Sequence, residues 1–276
     1  MRHALIAGTA ALALTFAVLP AQAKNASFST DSCKYDYSTP YDVDVTPAGL
    51  SFHRIDGVPS KIFVHDGAVR VDGKDVAVSR GDAESLRRYE EGVRRLVPQI
   101  AAIAREGTSI GFSAMTSVTM AFADGDQRSR LLEKLKRQQA EALRKIDEGI
   151  GAGHWSADRM AENVAGSVSD SVGELVGSVT SSAVTAALSG DSAKVAALEE
   201  KGRSLDKAMD REMDKRSKAL DERASQICPQ LDALAELQKG WSVRLDDGKP
   251  LELMTIKPKQ HDHDEDEHAE KKVASS

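Results

Sequence analysis

The sequence has little of the material from which ligand pockets and compact metal modules are usually built. Only 4% of its 276 residues are aromatic: two Trp, four Tyr and six Phe. Aromatic side chains supply much of the contact area in ligand pockets and interface hot spots, so their scarcity points away from a small-molecule substrate. Two cysteines are too few for a Cys-rich zinc module, an iron–sulfur cluster or a dense disulfide scaffold. Basic charge is also short, since 37 Lys and Arg stand against 43 Asp and Glu, a formal net charge of −6. Dedicated nucleic-acid binders are usually strongly basic, and nucleic acid is not expected as a partner. Beyond the first two dozen residues no run approaches the roughly 18 apolar residues that a membrane-crossing helix needs. The apolar fraction itself is ordinary at 41%, enough to bury a core in one or two domains.

What is present begins with an address. Arg2 and His3 precede an apolar stretch from Ala4 to Leu19, and Ala21-Gln22-Ala23 forms an A-x-A cleavage signature. This pattern predicts a cleaved signal peptide over residues 1–23 and a periplasmic mature chain starting at Lys24. In an oxidising compartment the two thiols, Cys33 and Cys228, are expected to form one internal disulfide.

Residues 33–79 read as an antiparallel meander. Tyr41 to Thr46 and Lys61 to His65 alternate polar and apolar residues, and Asp66-Gly67 and Asp72-Gly73 stand at hairpin spacing. At Ser79 the period changes. Ser79 with Asp82 resembles a capping box, after which Leu86, Tyr89, Val93, Leu96, Ile100 and Ile103 recur at helical steps. Pro98 is expected to kink or restart that helix. Residues 108–123 fit either a strand or a helix, with helix favoured, and 127–147 are a clear helix. A Gly-, Ser- and Val-rich segment spans 156–189. A long charged helix covers 192–227, with Val195, Leu198, Leu205, Met209, Leu220 and Ile227 on its seam. Those steps contain a stutter, so the helix is coiled-coil-like and is expected to pack antiparallel on another helix of the chain, with 127–147 the candidate. The prediction is a monomer. Residues 241–256 suggest a last hairpin that returns to the meander, and 258–276 a disordered tail. The whole is α+β: residues 24–257 form one domain in which a meander at 33–79, completed by the C-terminal hairpin, carries a helical body at 80–239.

The motifs that suggest chemistry are individually weak. Gly107-Thr108-Ser109-Ile110-Gly111 matches the G-x-S-x-G elbow letter for letter, but that elbow requires a strand-to-helix turn. A helix precedes it here, so no catalytic residue is assigned and the chain is read as a non-enzyme. His261, His263 and His268 lie among carboxylates in the tail. They are weak metal candidates, because a tail supplies no rigid frame or organised surroundings for its ligands. No cofactor is assigned. Ser169, Gly173, Gly177 and Ser181 place small residues four apart, which permits close helix approach and favours a tight internal helix pair. Arg87, Arg88, Arg94 and Arg95 are interleaved with Glu84, Glu90 and Glu91, a self-neutralised face.

Three stretches taken together resemble the YggN-like family of exported bacterial proteins, built around a domain of unknown function. They are Cys33 with Tyr41-Asp42-Val43-Asp44-Val45-Thr46-Pro47, the Val71-Asp72-Gly73-Lys74 turn, and Tyr89 through Val97-Pro98 to Ile103-Ala104-Arg105-Glu106-Gly107. The resemblance is best over residues 31–123. It implies a periplasmic location and supplies no activity, cofactor or catalytic residue. The resulting expectation is a non-catalytic envelope protein that binds or scaffolds another envelope protein. A membrane surface, reached through the small-residue segments 108–123 and 156–189, is the alternative, and weak metal binding by the tail a lesser one.

Overall fold

The computed structural model describes residues 26–28, 33–156, parts of 172–190, and 192–259. The signal-peptide and His-tail expectations fall outside these residues. Strands β2 (Tyr35–Thr39), β3 (Asp42–Thr46), β4 (Gly49–His53), β5 (Lys61–His65), β6 (Ala68–Val71) and β7 (Lys74–Val76) follow β1 (Ala26–Phe28). Both Asp-Gly pairs make the turns the sequence predicts, with φ of 46° at Asp66 and Asp72 and 79° and 84° at the following glycines. Two successive residues with positive φ twist the chain in the sense that adjoining strands need.

The meander differs from expectation in one respect. It is two sheets rather than one. Strands β3 to β7 pair in sequence, and β3 takes on its free edge a two-residue strand, β8 (His154–Trp155), from beyond the second helix. Strand β2 turns away after Thr39 and pairs with β1 on one side and with β9 (Thr255–Pro258) on the other. The hairpin near the C-terminus is present, closed by Leu245 N–H to Lys249 O at 2.9 Å and an Arg244–Pro250 bridge. The strand after it joins β2 rather than the meander. Pro40 follows Thr39 directly and lacks an N–H, a natural place for a strand to leave its ladder.

Helix α1 (Arg80–Phe122) is 43 residues long, about 65 Å at 1.5 Å per residue. It runs through Pro98 and Gly107 as one helix, so it does not restart at Pro98. One missing N–H costs little here, because Leu96, Val97, Ile100 and Ala101 are all buried around Pro98 and hold the backbone helical by packing. Residues 108–123 are helical, as favoured. Helix α2 (Gly125–Glu148) follows after two residues and carries the Glu133–Arg137 and Glu141–Lys145 pairs at 3.7 and 3.1 Å. Helix α3 (Ser192–Ser225) and helix α4 (Cys228–Lys239) complete the body. Cys228 opens α4, and proline at position 229 is well placed in a first turn, where its missing N–H has no helical partner to lose.

Both α3 and α4 pack antiparallel on α1. Leu234 reaches the backbone of Gly92, Gln230 bonds Gln99, Leu220 lies over Gly107, and Arg216 Nη2 is 3.1 Å from Glu106 Oε1. The antiparallel sense is as expected, but the partner is α1, not 127–147. Cys228 is tied to Cys33 by the disulfide, Cα–Cα 5.5 Å, across 195 residues of sequence. That bond anchors α4 beside the sheets, so α3 must extend along α1 from there. One hydrophobic core joins both sheets to α4 and the first half of α1, with Leu50, Ile62, Leu86, Ile227, Leu251 and Leu253 essentially sealed from solvent. The second half of α1 buries only Phe112 and Thr119 after Ala101, and the α3 seam is half-buried from Val195 to Leu220, becoming buried only near its end at Ala224 and at Ile227 beyond it. The molecule has a tight head and a loosely covered helical arm.

Candidate functional site

Ser109 lies within α1, with helical turns on both sides. The strand-to-helix strain that exposes a nucleophile is missing at 107–111, and the glycines there are ordinary helical residues. The arginine face is neutralised, as the interleaved acids suggest. Arg94 Nη2 is 2.6 Å from Glu90 and Arg95 Nη1 is 3.8 Å from Glu91, while Arg87 Nε takes Asp66 in a hairpin turn at 2.7 Å.

The small-residue stripe is placed differently from expectation. Gly173, Gly177 and Ser181 are exposed, and nothing lies within 4 Å of the point where a Cβ would sit on either glycine. Among the described residues these glycines therefore make no close helix contact, and Ser169 lies outside the described residues. Val172, Val176, Val184 and Leu188 on the same helical residues are also exposed, Leu188 to 82%. Lys134 on α2 pairs with Glu174 and holds this segment to the arm. Among the described residues no helix is long and apolar enough to cross a membrane.

Two buried carboxylates join the head together, and the sequence showed neither role. Asp82 in the first turn of α1 caps with Ser79 as predicted, its N–H donating to Ser79 Oγ at 3.1 Å. Its carboxylate also accepts the Ser242 hydroxyl at 2.5 Å and the Ser242 N–H at 3.0 Å, which ties the last segment to the start of α1. The Ser242 contacts hold the Asp82 carboxyl below its ordinary value in spite of burial. Glu90 accepts from the Asp66 N–H at 3.0 Å and from Arg94, with His65 at 3.3 Å. Burial pushes the Glu90 carboxyl up, but those partners outweigh it and leave it low. On the outer face of the sheet, Asp44 stands between His154 Nδ1 at 2.6 Å and His53 Nδ1 at 3.5 Å. These contacts clasp β8 to β3. No group of three or more His, Cys, Asp and Glu able to hold a metal occurs among the described residues.

Between the two sheets, α1 and α4 lies a cavity of about 100 Å³. Its walls are aliphatic residues of α1, α4 and the C-terminal segment, together with Tyr37, Phe52, Tyr89 and Trp155. Four of the chain's twelve aromatics thus meet at one place. Composition could not show this, because the four come from β2, β4, α1 and β8. The Tyr37 hydroxyl donates to Asp232 at 2.6 Å, and burial, then Asp232, raises its phenol well above the ordinary value. The Trp155 Nε1 is buried and has no hydrogen-bond partner among the described residues. No sequence signal singled out Trp155, since two residues of strand after a glycine-rich turn carry no periodicity.

Residues 36–254 match the family described as Protein of unknown function (DUF2884). No curated protein and no solved structure matches the chain.

Proposed function

Since the chain belongs to the DUF2884 family, whose description assigns no activity, we propose from the residues themselves that it is a non-catalytic envelope protein of the YggN-like kind. It is exported to the periplasm and binds another envelope protein through its helical arm. The A-x-A signature after a short apolar stretch supports export, as does a disulfide between the only two cysteines, a bond that persists in oxidising compartments. The observation that carries the binding role is the exposed ridge of Val172, Val176, Val184 and Leu188 beside the open backbones of Gly173 and Gly177. A valine ridge beside a glycine furrow suits close approach by a partner's amphipathic helix. Exposed apolar side chains grouped in this way mark interaction sites more often than isolated ones do.

The test is a photo-crosslinking residue placed at Val176 or Leu188 in cells, with Arg70 on the sheet as control. A discrete adduct with an envelope protein at the helical positions, and none at Arg70, is the expected result. Absence of adducts, or the same adducts from all three positions, would overturn the reading. Co-sedimentation of mature protein with anionic vesicles, lost when Val176 and Leu188 are changed to Ser, would transfer the same ridge to a lipid surface. A hydrolytic activity abolished by Ser109→Ala with the fold intact would remove the non-catalytic reading altogether.

A further inference from the structure

The outer side of the head carries a polar cleft. It lies between the first turns of α1 and the outer face of α4, open to solvent and about 1000 Å³ in volume. Gly81, Ser85, Ala233 and Gly240 line it with small side chains or none. Its acids are mostly engaged. Asp82 accepts the Ser79 and Ser242 hydroxyls, and Glu236 takes Lys239 at 2.6 Å. Its bases are not. Arg88 stands four residues after Glu84 and three before Glu91, the spacings at which helical ion pairs form. Among the described residues it pairs with neither and lines the cleft instead. Arg95 reaches Glu91 only at 3.8 Å. The two arginines are two turns apart, about 10 Å along the helix. Three residues of extended chain span about the same distance.

One segment of this chain offers carboxylates at that spacing. In the tail, which lies outside the described residues, Asp262 precedes Glu265 by three residues and Asp264 precedes Glu267 by three. The place where the tail leaves the head fits as well. Lys259 N–H donates to the Lys34 carbonyl at 3.3 Å. Lys34 follows Cys33, which the disulfide joins to Cys228 in the first turn of α4. Ala233 on the cleft wall is five residues further along α4, about 8 Å, and passing to the outer face of that helix adds about 10 Å. Five extended residues span about 17 Å, so Asp262 and Asp264 can reach that end of the cleft. Leu234 against Gly92 and Gln230 on Gln99 place Arg95 at the same end, with Arg88 two turns further in.

We propose that the acidic tail of this chain docks in the cleft between α1 and α4, with Asp262 or Asp264 on Arg95 and Glu265 or Glu267 on Arg88. A carboxylate matches the guanidinium fork in bidentate fashion. Each exposed pair is weak, but the tail is tethered beside the cleft, and a short tether gives an effective concentration in the millimolar range. The contact is autoinhibitory in form, since an acidic segment of another protein must displace the tail to use the cleft. It involves neither the ridge nor the arm, so it stands apart from the binding role proposed there.

The test places a photo-crosslinking residue at the exposed Ala233 of the purified, full-length mature chain, with Arg70 on the sheet as control. At low salt, position 233 is expected to capture a peptide from 260–268 of the same molecule, read by mass spectrometry after digestion. Position 70 should capture it several-fold less. Arg88→Gln with Arg95→Gln, both on exposed side chains, is expected to lower the yield at 233 about fivefold or more. Asp262→Asn, Asp264→Asn, Glu265→Gln and Glu267→Gln together should do the same, as should about 1 M salt, where charges are screened beyond about 3 Å. The proposal is overturned if position 233 captures no tail peptide, or if position 70 captures it equally. It is also overturned if neutralising either partner leaves the yield unchanged, or if the crosslinks join two molecules instead of one.

Discussion

Asp82 shows how one side chain acquires two functions at different ranges. Locally it completes the N-terminal turn of α1 with Ser79, and across the molecule it holds Ser242. Its carboxyl is depressed in the folded state, so its contribution is fully present above the unfolded value near 3.9 and disappears as pH falls through the lower, folded value. Asp82→Asn should therefore lower the urea midpoint at neutral pH. The gap to wild type should narrow in acid, as pH falls through the folded value and the wild-type carboxyl also loses its charge. Urea titrations at the two pH values check this, and a gap that widens in acid would contradict it. The cysteine pair is the other residue of long reach. Closing a loop of 195 residues contributes at most about 5 kcal/mol in the chain-entropy model. Reductant, or Cys33→Ser with Cys228→Ser, should lower the midpoint substantially. Alkylation of denatured protein without reductant should leave both thiols unmodified.

Helix α1 belongs to two environments, and its glycines report which is which. A Cβ on Gly92 would lie 2.6 Å from Leu234 Cδ2, while one on Gly107 would lie 3.7 Å from Leu220 Cδ2. Alanine in a helix interior is worth roughly 1 kcal/mol over glycine, and overpacking costs about 1–3 kcal/mol. Gly107→Ala should stabilise by up to about 1 kcal/mol, whereas Gly92→Ala should be neutral to destabilising because Leu234 is itself buried. Thermal unfolding of the two variants separates them, and equal gains would show that α4 is free to shift. The side chains follow the same division. Leu86 is sealed in the core and Leu198 is half-buried on the α3 seam. Leu86→Ala should cost about 2–5 kcal/mol, and Leu198→Ala clearly less, by urea denaturation.

At the scale of the molecule, head and arm differ in what covers their apolar surface. The head is closed by two sheets, α4 and a disulfide; the helical segments of the arm share few fully buried side chains among the described residues. Regions with few buried apolar contacts open locally at low free energy. Amide exchange should be markedly slower over 86–101 than over 195–213, and uniform protection would remove the division. The Arg216–Glu106 pair is part-exposed and worth at most about 1 kcal/mol, so it sets register rather than stability. Because the α3 seam is already applied to α1 within one chain, light scattering should give a monomer mass independent of dilution. A stable dimer would mean that the arm takes a second copy as its partner.

Local physics was readable in the sequence. The Asp-Gly turns need positive φ, Ser79 needs to cap, and apolar residues at helical steps need a face to bury. Those requirements are met by neighbours, so α1, α2, the meander turns and the α+β class were all legible. The cysteine pairing was legible too, because two thiols in one chain leave a single internal choice. Which surfaces meet was settled only in three dimensions. Strand β8 on β3, the departure of β2 to pair with β9, and α3 on α1 instead of α2 all join residues far apart in sequence, where each amphipathic face would accept several partners. The cavity belongs to that second kind. Tyr37, Phe52, Tyr89 and Trp155 are scattered singly along the chain, and only the packing of two sheets against α1 and α4 brings them to one place.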